Sequence, residues 1–136
     1  MTKRQQIIDE LISRLNATFS PIQIIRGYNE AVVTEYPRIF VLEELEKVTQ
    51  PKTGVYQKQL TIIVKYFHRP ISALKNYEDA NIKIKQLQGA IDLDERFSGL
   101  VIKYAMTKSE ITPYVHGIIN ITVTYDFTYI DDRTSI

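Results

Sequence analysis

Glu43, Glu44 and Glu46 form the densest group of carboxylates in the chain, directly after the apolar run Ile39-Phe40-Val41-Leu42. Paired carboxylates do general acid–base work or hold a hard divalent cation. On a strand Glu44 and Glu46 share one face and Glu43 takes the other, because successive side chains alternate. A solvated strand end explains such a group more often than a site does. An inter-subunit or lumen-facing acidic surface is a third reading. Asp92, Asp94 and Glu95 pose the same choice, with a helix exit as a natural place for acids. His68 and His116 are the two histidines, and neither stands in a ligand or catalytic spacing. There is no cysteine, which excludes disulfides, thiolate metal sites and cysteine nucleophiles. The five glycines, Gly27, Gly54, Gly89, Gly99 and Gly117, are isolated. No phosphate loop, nucleophile elbow or nucleotide fingerprint is built from them. The expectation is a protein without catalytic residues, cofactor or metal.

Composition narrows the remaining classes. With 136 residues, 44% of them hydrophobic and 24% charged, the chain reads as one domain, residues 1–136, large enough for a core. Seventeen basic residues against sixteen acidic ones argue against a broad nucleic-acid-binding face, although a local patch is compatible. The N-terminus lacks the apolar stretch of a signal peptide. No segment approaches the roughly 20 apolar residues of a membrane span.

The elements that must carry these residues follow from periodicity. Ile7, Ile8, Leu11, Ile12 and Leu15 mark one stripe of a helix over about Thr2–Ala17, capped by Thr2. Lys3, Arg4, Asp9, Glu10 and Arg14 are expected largely outside that stripe. Ser20-Pro21 ends the helix, and a short strand is expected at Ile22–Arg26. Pro37 opens a longer strand, whose continuously apolar Ile39–Leu42 implies cover on both faces. Thr49, Gln50, Pro51, Lys52, Thr53 and Gly54 read as a polar loop with two breakers. Beyond it, Leu60, Ile62, Val64 and Tyr66 alternate, giving a long hairpin.

A second helix is expected over about Ala73–Leu93, with Leu74, Tyr77, Ile84, Leu87 and Ile91 inward and Asn76 with Asp79 as a partial cap. A strand with Leu100, Ile102, Tyr104 and Met106 on one face comes next, and Thr112-Pro113 interrupts the path to the last strand. From Ile118 to Ile130 the alternation is nearly perfect. Ile119, Ile121, Val123, Tyr125, Phe127 and Tyr129 fall on one side and Asn120, Thr122, Thr124, Asp126 and Thr128 on the other. The wet side is either plain solvent-facing sheet or a subunit surface, since Thr and Asn hydrogen-bond at little desolvation cost. Residues 131–136 read as a short polar tail. The order α-β-β-β-α-β-β, with two long hairpins, predicts an α+β fold: a mostly antiparallel sheet with two helices packed on one face.

Three stretches carry a resemblance that covers nearly the whole chain. They are Tyr36-Pro37-Arg38-Ile39-Phe40-Val41 leading into Glu43-Glu44, then Tyr56 to Phe67, then Ile118 to Tyr129. With the N-terminal helix and the helix between the hairpins, the pattern resembles tail terminator (tail completion) proteins of long-tailed bacteriophages. It is a pattern of elements rather than a signature string. The resemblance implies a structural virion protein and not an enzyme. It implies a homo-oligomeric ring, a hexamer in that family, which caps the tail tube, stops its growth and offers a joining surface to the head. The implied partners are further copies of this chain, the tail tube protein and head–tail connector proteins, with DNA only as cargo and no membrane. The implied location is the tail–head junction of the virion, after assembly in the host cytoplasm. Candidate docking residues are then Glu43, Glu44 and Glu46, the segment Thr49–Gly54, and Thr122, Thr124 and Asp126 on the wet side of the last strand. A connector or stopper of the same neck is a competing reading. A small-ligand or metal-binding α+β domain, or a weak carboxylate enzyme, is another from a different class.

Overall fold

A computed structural model describes residues 2–27, 37–69, 76–113 and 117–132. Its elements run α1 (Lys3–Phe19), β1 (Gln23–Arg26), β2 (Arg38–Lys52), β3 (Val55–His68), α2 (Asn76–Ile91), β4 (Lys103–Pro113) and β5 (Ile119–Asp132). The five strands form one sheet in the order β1-β2-β3-β5-β4. Only the β1–β2 pair is parallel; β2–β3, β3–β5 and β4–β5 are antiparallel. The expected α+β architecture is present, and both helices share their core with one face of this sheet.

Each helix forms where its apolar stripe can meet that face. In α1, Ile7, Ile8, Leu11 and Leu15 are fully buried, and the Thr2 hydroxyl caps the first turn by accepting from the Gln5 N–H at 3.2 Å. The helix continues two residues past the expected Ala17, because Phe19 finds a place in the core edge-on to Tyr66, with ring centroids 5.5 Å apart. In α2 the inward stripe is Ala80, Ile84, Leu87 and Ile91. Tyr77, expected in that stripe, is 65% exposed, so the first turn of α2 lies off the core. Leu74 and the expected start at Ala73 fall outside the described residues.

The alternation of β5 is realised in full. Ile119, Ile121, Val123, Tyr125, Phe127 and Tyr129 are each at most 3% exposed. Phe127 and Tyr104 stack on each other, and Phe97 closes edge-on against both. The run Ile39–Leu42 is covered on both faces as its composition implied. Ile39 and Val41 join the main core, while Phe40 packs with Phe67 and Ile118 in a second cluster on the opposite face, with Ile25 and Leu42 at its margin. Leu100 and Ile102, expected on β4, lie in the turn before it, and β4 keeps its pairing as far as Pro113.

Gly89 sits in the exposed part of α2, and a Cβ placed there would meet nothing within 4 Å. A helical glycine loses more backbone entropy on folding than alanine does. Gly89→Ala is therefore expected to stabilise the protein by about 1 kcal/mol, read as a higher urea midpoint with unchanged slope.

Candidate functional site

The acidic group after Leu42 does not face the way simple alternation requires. Glu43 pairs with Ile62 and Leu45 with Thr61, so Glu44 is an extra, unpaired residue in β2. Such a bulge shifts the alternation by one from that point. Glu43 and Glu46 therefore share the helix-facing side, and the expected pairing of Glu44 with Glu46 on one face is wrong. Both turn to the start of α1. Arg4 meets Glu43 at 3.3 Å and Glu46 at 3.4 Å. Arg26 adds a 2.8 Å bond to Glu43, and the Tyr129 hydroxyl donates to Glu46 at 2.8 Å. Lys58 lies 3.9 Å from Glu46 and 2.8 Å from Asp131. Asp131 and Asp132, expected in a solvated tail, are instead the last residues of β5, paired with Tyr56 and Val55. Residues 133–136 fall outside the described ones.

Partial burial alone would raise the Glu43 pKa, but the Arg4 hydrogen bond and charge, joined by Arg26, outweigh it and hold the carboxyl below its ordinary value. A depressed carboxylate contributes stability above its unfolded pKa and loses it as pH falls through the folded value. Glu43→Gln is thus expected to cost about 1 kcal/mol at pH 7, the scale of partly solvated ion pairs. The cost should shrink as pH falls below the ordinary carboxylate range of about 4. Urea unfolding of both proteins across that range checks this. A cost that stays constant down to acid pH would contradict the ion-pair origin.

The segment Thr49–Gly54 is not the loop expected from its composition. β2 continues to Lys52, and only Thr53 and Gly54 turn, with Gly54 at φ +80°. Thr49 pairs with Gln57 and Lys52 with Val55, so Gln50 and Pro51 oppose the single residue Tyr56. Pro51 is tolerated because a second bulge sits there and the ladder asks it for no N–H. Lys3 at the start of α1 donates to the Ile130 carbonyl at 3.0 Å, level with Gln57 and Thr49, so only the hairpin end from Gln50 to Tyr56 reaches past the helix as an arm, with β5 beside it as far as Asp132. The three residues from Gln50 to Lys52 span about 10 Å at strand rise. The hairpin leaves Val48 53% and Tyr56 38% exposed on its helix-facing side, and Leu45 51% exposed on the other. Thr49, Gln50, Pro51 and Thr53 are exposed beside them.

Thr122, Thr124 and Asp126 do share the sheet face turned away from the helices, and all three are half-buried. Asp126 is already engaged within the subunit, accepting from Thr61 at 2.6 Å and from Gln59 at 2.9 Å. Thr122 donates to Asn120 at 3.3 Å. Thr128, expected on the wet side, is 7% exposed. Glu44 is exposed, and its charge adds to that of Glu110 in holding the Lys108 ammonium above its ordinary value.

A residue that periodicity placed outside the core proves central to it. Arg14 is 5% exposed. Its guanidinium pairs with Glu10 at 2.9 Å and with Asp94, and donates to the Ile91 carbonyl at 2.7 Å and the Ser98 hydroxyl at 3.1 Å. Its flat face lies 4.1 Å from the centre of the Phe97 ring. One side chain thus ties α1 to the end of α2 and to the left-handed turn Phe97-Ser98-Gly99. Asp94 accepts both Arg14 and the Ser98 N–H, which hold its carboxyl below the ordinary range. An open groove of about 640 Å³ lies between the α2 exit and the start of β4, lined by Asp92, Leu93, Asp94, Glu95, Tyr104 and Met106 among others. Beneath it the Tyr125 hydroxyl is buried without a hydrogen-bond partner. Burial first, then the Asp92 charge, pushes its ionisation far above the ordinary phenol value.

Among the described residues no three His, Asp or Glu side chains converge as metal ligands would. His68 is half-buried beside Tyr66, and His116 falls outside the described residues. No helix among the described residues is long and apolar enough to cross a membrane. No protein-family profile matches the chain, and no curated protein matches it significantly in sequence.

Proposed function

We propose that this protein is a structural component of a phage virion, which closes into a homo-oligomeric ring on the end of the tail tube, halts tube polymerisation and offers the surface on which the head is joined. One observation carries the reading: the far end of the β2–β3 hairpin holds Val48 and Tyr56 in solvent. A strand ribbon that adds nothing to its own core, yet exposes large apolar side chains, is suited to contact with another chain. The resemblance in element pattern supports the same class. Catalysis has no part in it; the work is geometric.

Each subunit offers one surface to its ring neighbours, another to the last tube ring and a third to head–tail connector proteins. A heterologous contact closes when its rotation fits a whole number of copies. DNA passes through as cargo, and a lumen with few free cations avoids gripping its phosphates. Glu43 and Glu46 are already neutralised by Arg4, Arg26 and Lys58, so Glu44 is the member of that group suited to such a wall. The ring sits at the tail–head junction after assembly in the host cytoplasm. Purified protein added to polymerising tube subunits should stop elongation and leave tubes with added density at one end. Tubes that grow to the same length with and without it would contradict the proposal.

A further inference from the structure

We infer that two copies of this chain pair through the outer faces of their α2 helices, antiparallel about a two-fold axis that passes between Asn81 and Ile82. The inference goes beyond the ring reading and does not rest on it. Glu78, Ile82 and Lys85 stand at the i, i+4 and i+7 steps of one stripe, with Asn81 beside Ile82, and all four are exposed. That stripe faces away from Ala80, Leu87 and Ile91, which enter the core. Ile82 is 48% exposed on it, and Tyr77, 65% exposed, stands at its margin. Meeting a second copy there removes apolar area from water on both partners at once.

Charge decides the occupant and its direction. Glu78 and Lys85 are the charges of the stripe, and among the described residues neither has a partner. The other two charges of α2, Asp79 and Lys83, are half-buried and act elsewhere. Lys83 donates to Gln86 at 3.2 Å. Burial first, then the Lys83 charge, lowers the His68 pKa, and Asp79 opposes them. Seven positions separate Glu78 from Lys85, about 10 Å along the axis, too far to pair within the helix. A parallel second copy would set like charge against like. An antiparallel one sets each Glu78 against the other copy's Lys85 and brings Ile82 onto its own counterpart, so one stripe complements itself. Opposite charges so placed fix the register of an encounter. Helical side chains lean toward the start of their own helix, which carries Tyr77 toward the last turns of the antiparallel copy. The contact is complete at two copies and is distinct from the heterologous contact that propagates a ring. One helix face on each side is a small interface, so the dimer is weak and reversible.

Sedimentation of the full chain over a series of concentrations tests this. The mass should rise from that of one 15.8 kDa chain to that of two. Glu78→Lys and Lys85→Glu should each weaken the dimer about tenfold, since each change acts at two symmetric pairs. The two together in one chain should restore it, because the swapped stripe again complements itself. The chain has no cysteine, so Ile82→Cys under mild oxidation should give a linked dimer and nothing larger. Tyr77→Cys, about 13 Å along the axis from its counterpart, should not link. Circular dichroism confirms that each variant is folded. Wild-type protein that stays monomeric at every concentration overturns the inference. So does a dimer that both single reversals leave intact, or one that Ile82→Cys fails to link, because the contact then lies on another face. Capping of tail tubes is read in a separate assay, so the ring reading can fail while the dimer stands, and the dimer can fail while the ring stands.

Discussion

Replacing Thr49–Gln57 by Asn-Gly, so that Val48 and Lys58 flank a two-residue turn, is expected to abolish head–tail joining while the isolated protein stays folded. Val48 and Lys58 are already cross-strand partners, and Asn-Gly supplies the positive backbone angles that such a hairpin needs. The buried residues of β2 and β3 all lie nearer the helices than this cut. The stability change should therefore stay within about 1 kcal/mol, as for changes away from a core. Function should respond far more, because Tyr56 and the exposed Thr49, Gln50, Pro51 and Thr53 are removed together. Complementation of a phage lacking the wild-type protein, with heads and tails counted in micrographs, checks this. Normal yields of joined particles would refute the docking role given to the arm.

Arg14→Met is expected to produce the largest loss of stability, about 2 kcal/mol, because the buried guanidinium is the member that every other group of the network addresses, while Glu10 and Asp94 stay partly open to water. Methionine fills much of the volume but makes none of the bonds to Glu10, Asp94 and Ser98, and it takes from the Ile91 carbonyl its shortest donor, leaving the Leu93 N–H and the Tyr104 hydroxyl. Arg14→Lys should recover only part of the loss. A lysine keeps the charge but cannot present a planar fork to Glu10 and Asp94 while lying over Phe97. Urea unfolding of the three proteins gives the comparison. A loss below about 1 kcal/mol for Arg14→Met would place the network among ordinary surface pairs. The same residue shapes the groove beside it, because it fixes the α2 exit and the turn at Phe97–Gly99.

The parts of this fold that a reader of the sequence can recover are those where one face decides the pattern. β5 alternates because its inner side chains all enter the core, and the double cover of Ile39–Leu42 follows from an apolar run with no gap. The rest depends on partners far along the chain. A single inserted residue such as Glu44 leaves no mark on composition, yet it turns Glu46 to the opposite face. Arg14 looks like a solvated helix residue until Asp94, Phe97 and Ser98 are brought to it across 80 or more positions for two of its hydrogen bonds. Pro51 and Gly54 suggest a loop, whereas one occupies a bulge and the other a two-residue turn. The connection from Thr49 to Gly54 was legible as a place where the chain turns, but not as a strand that continues to Lys52 before a two-residue turn.

The central claim, that copies of this chain close into a ring on a tail tube, is met most directly by one measurement: the mass of the purified protein, alone and mixed with tail tubes, joined to images of the same samples. The account predicts a closed ring, either free in solution or seated on one end of each tube. A protein that stays monomeric in both samples and leaves tube ends bare would contradict it.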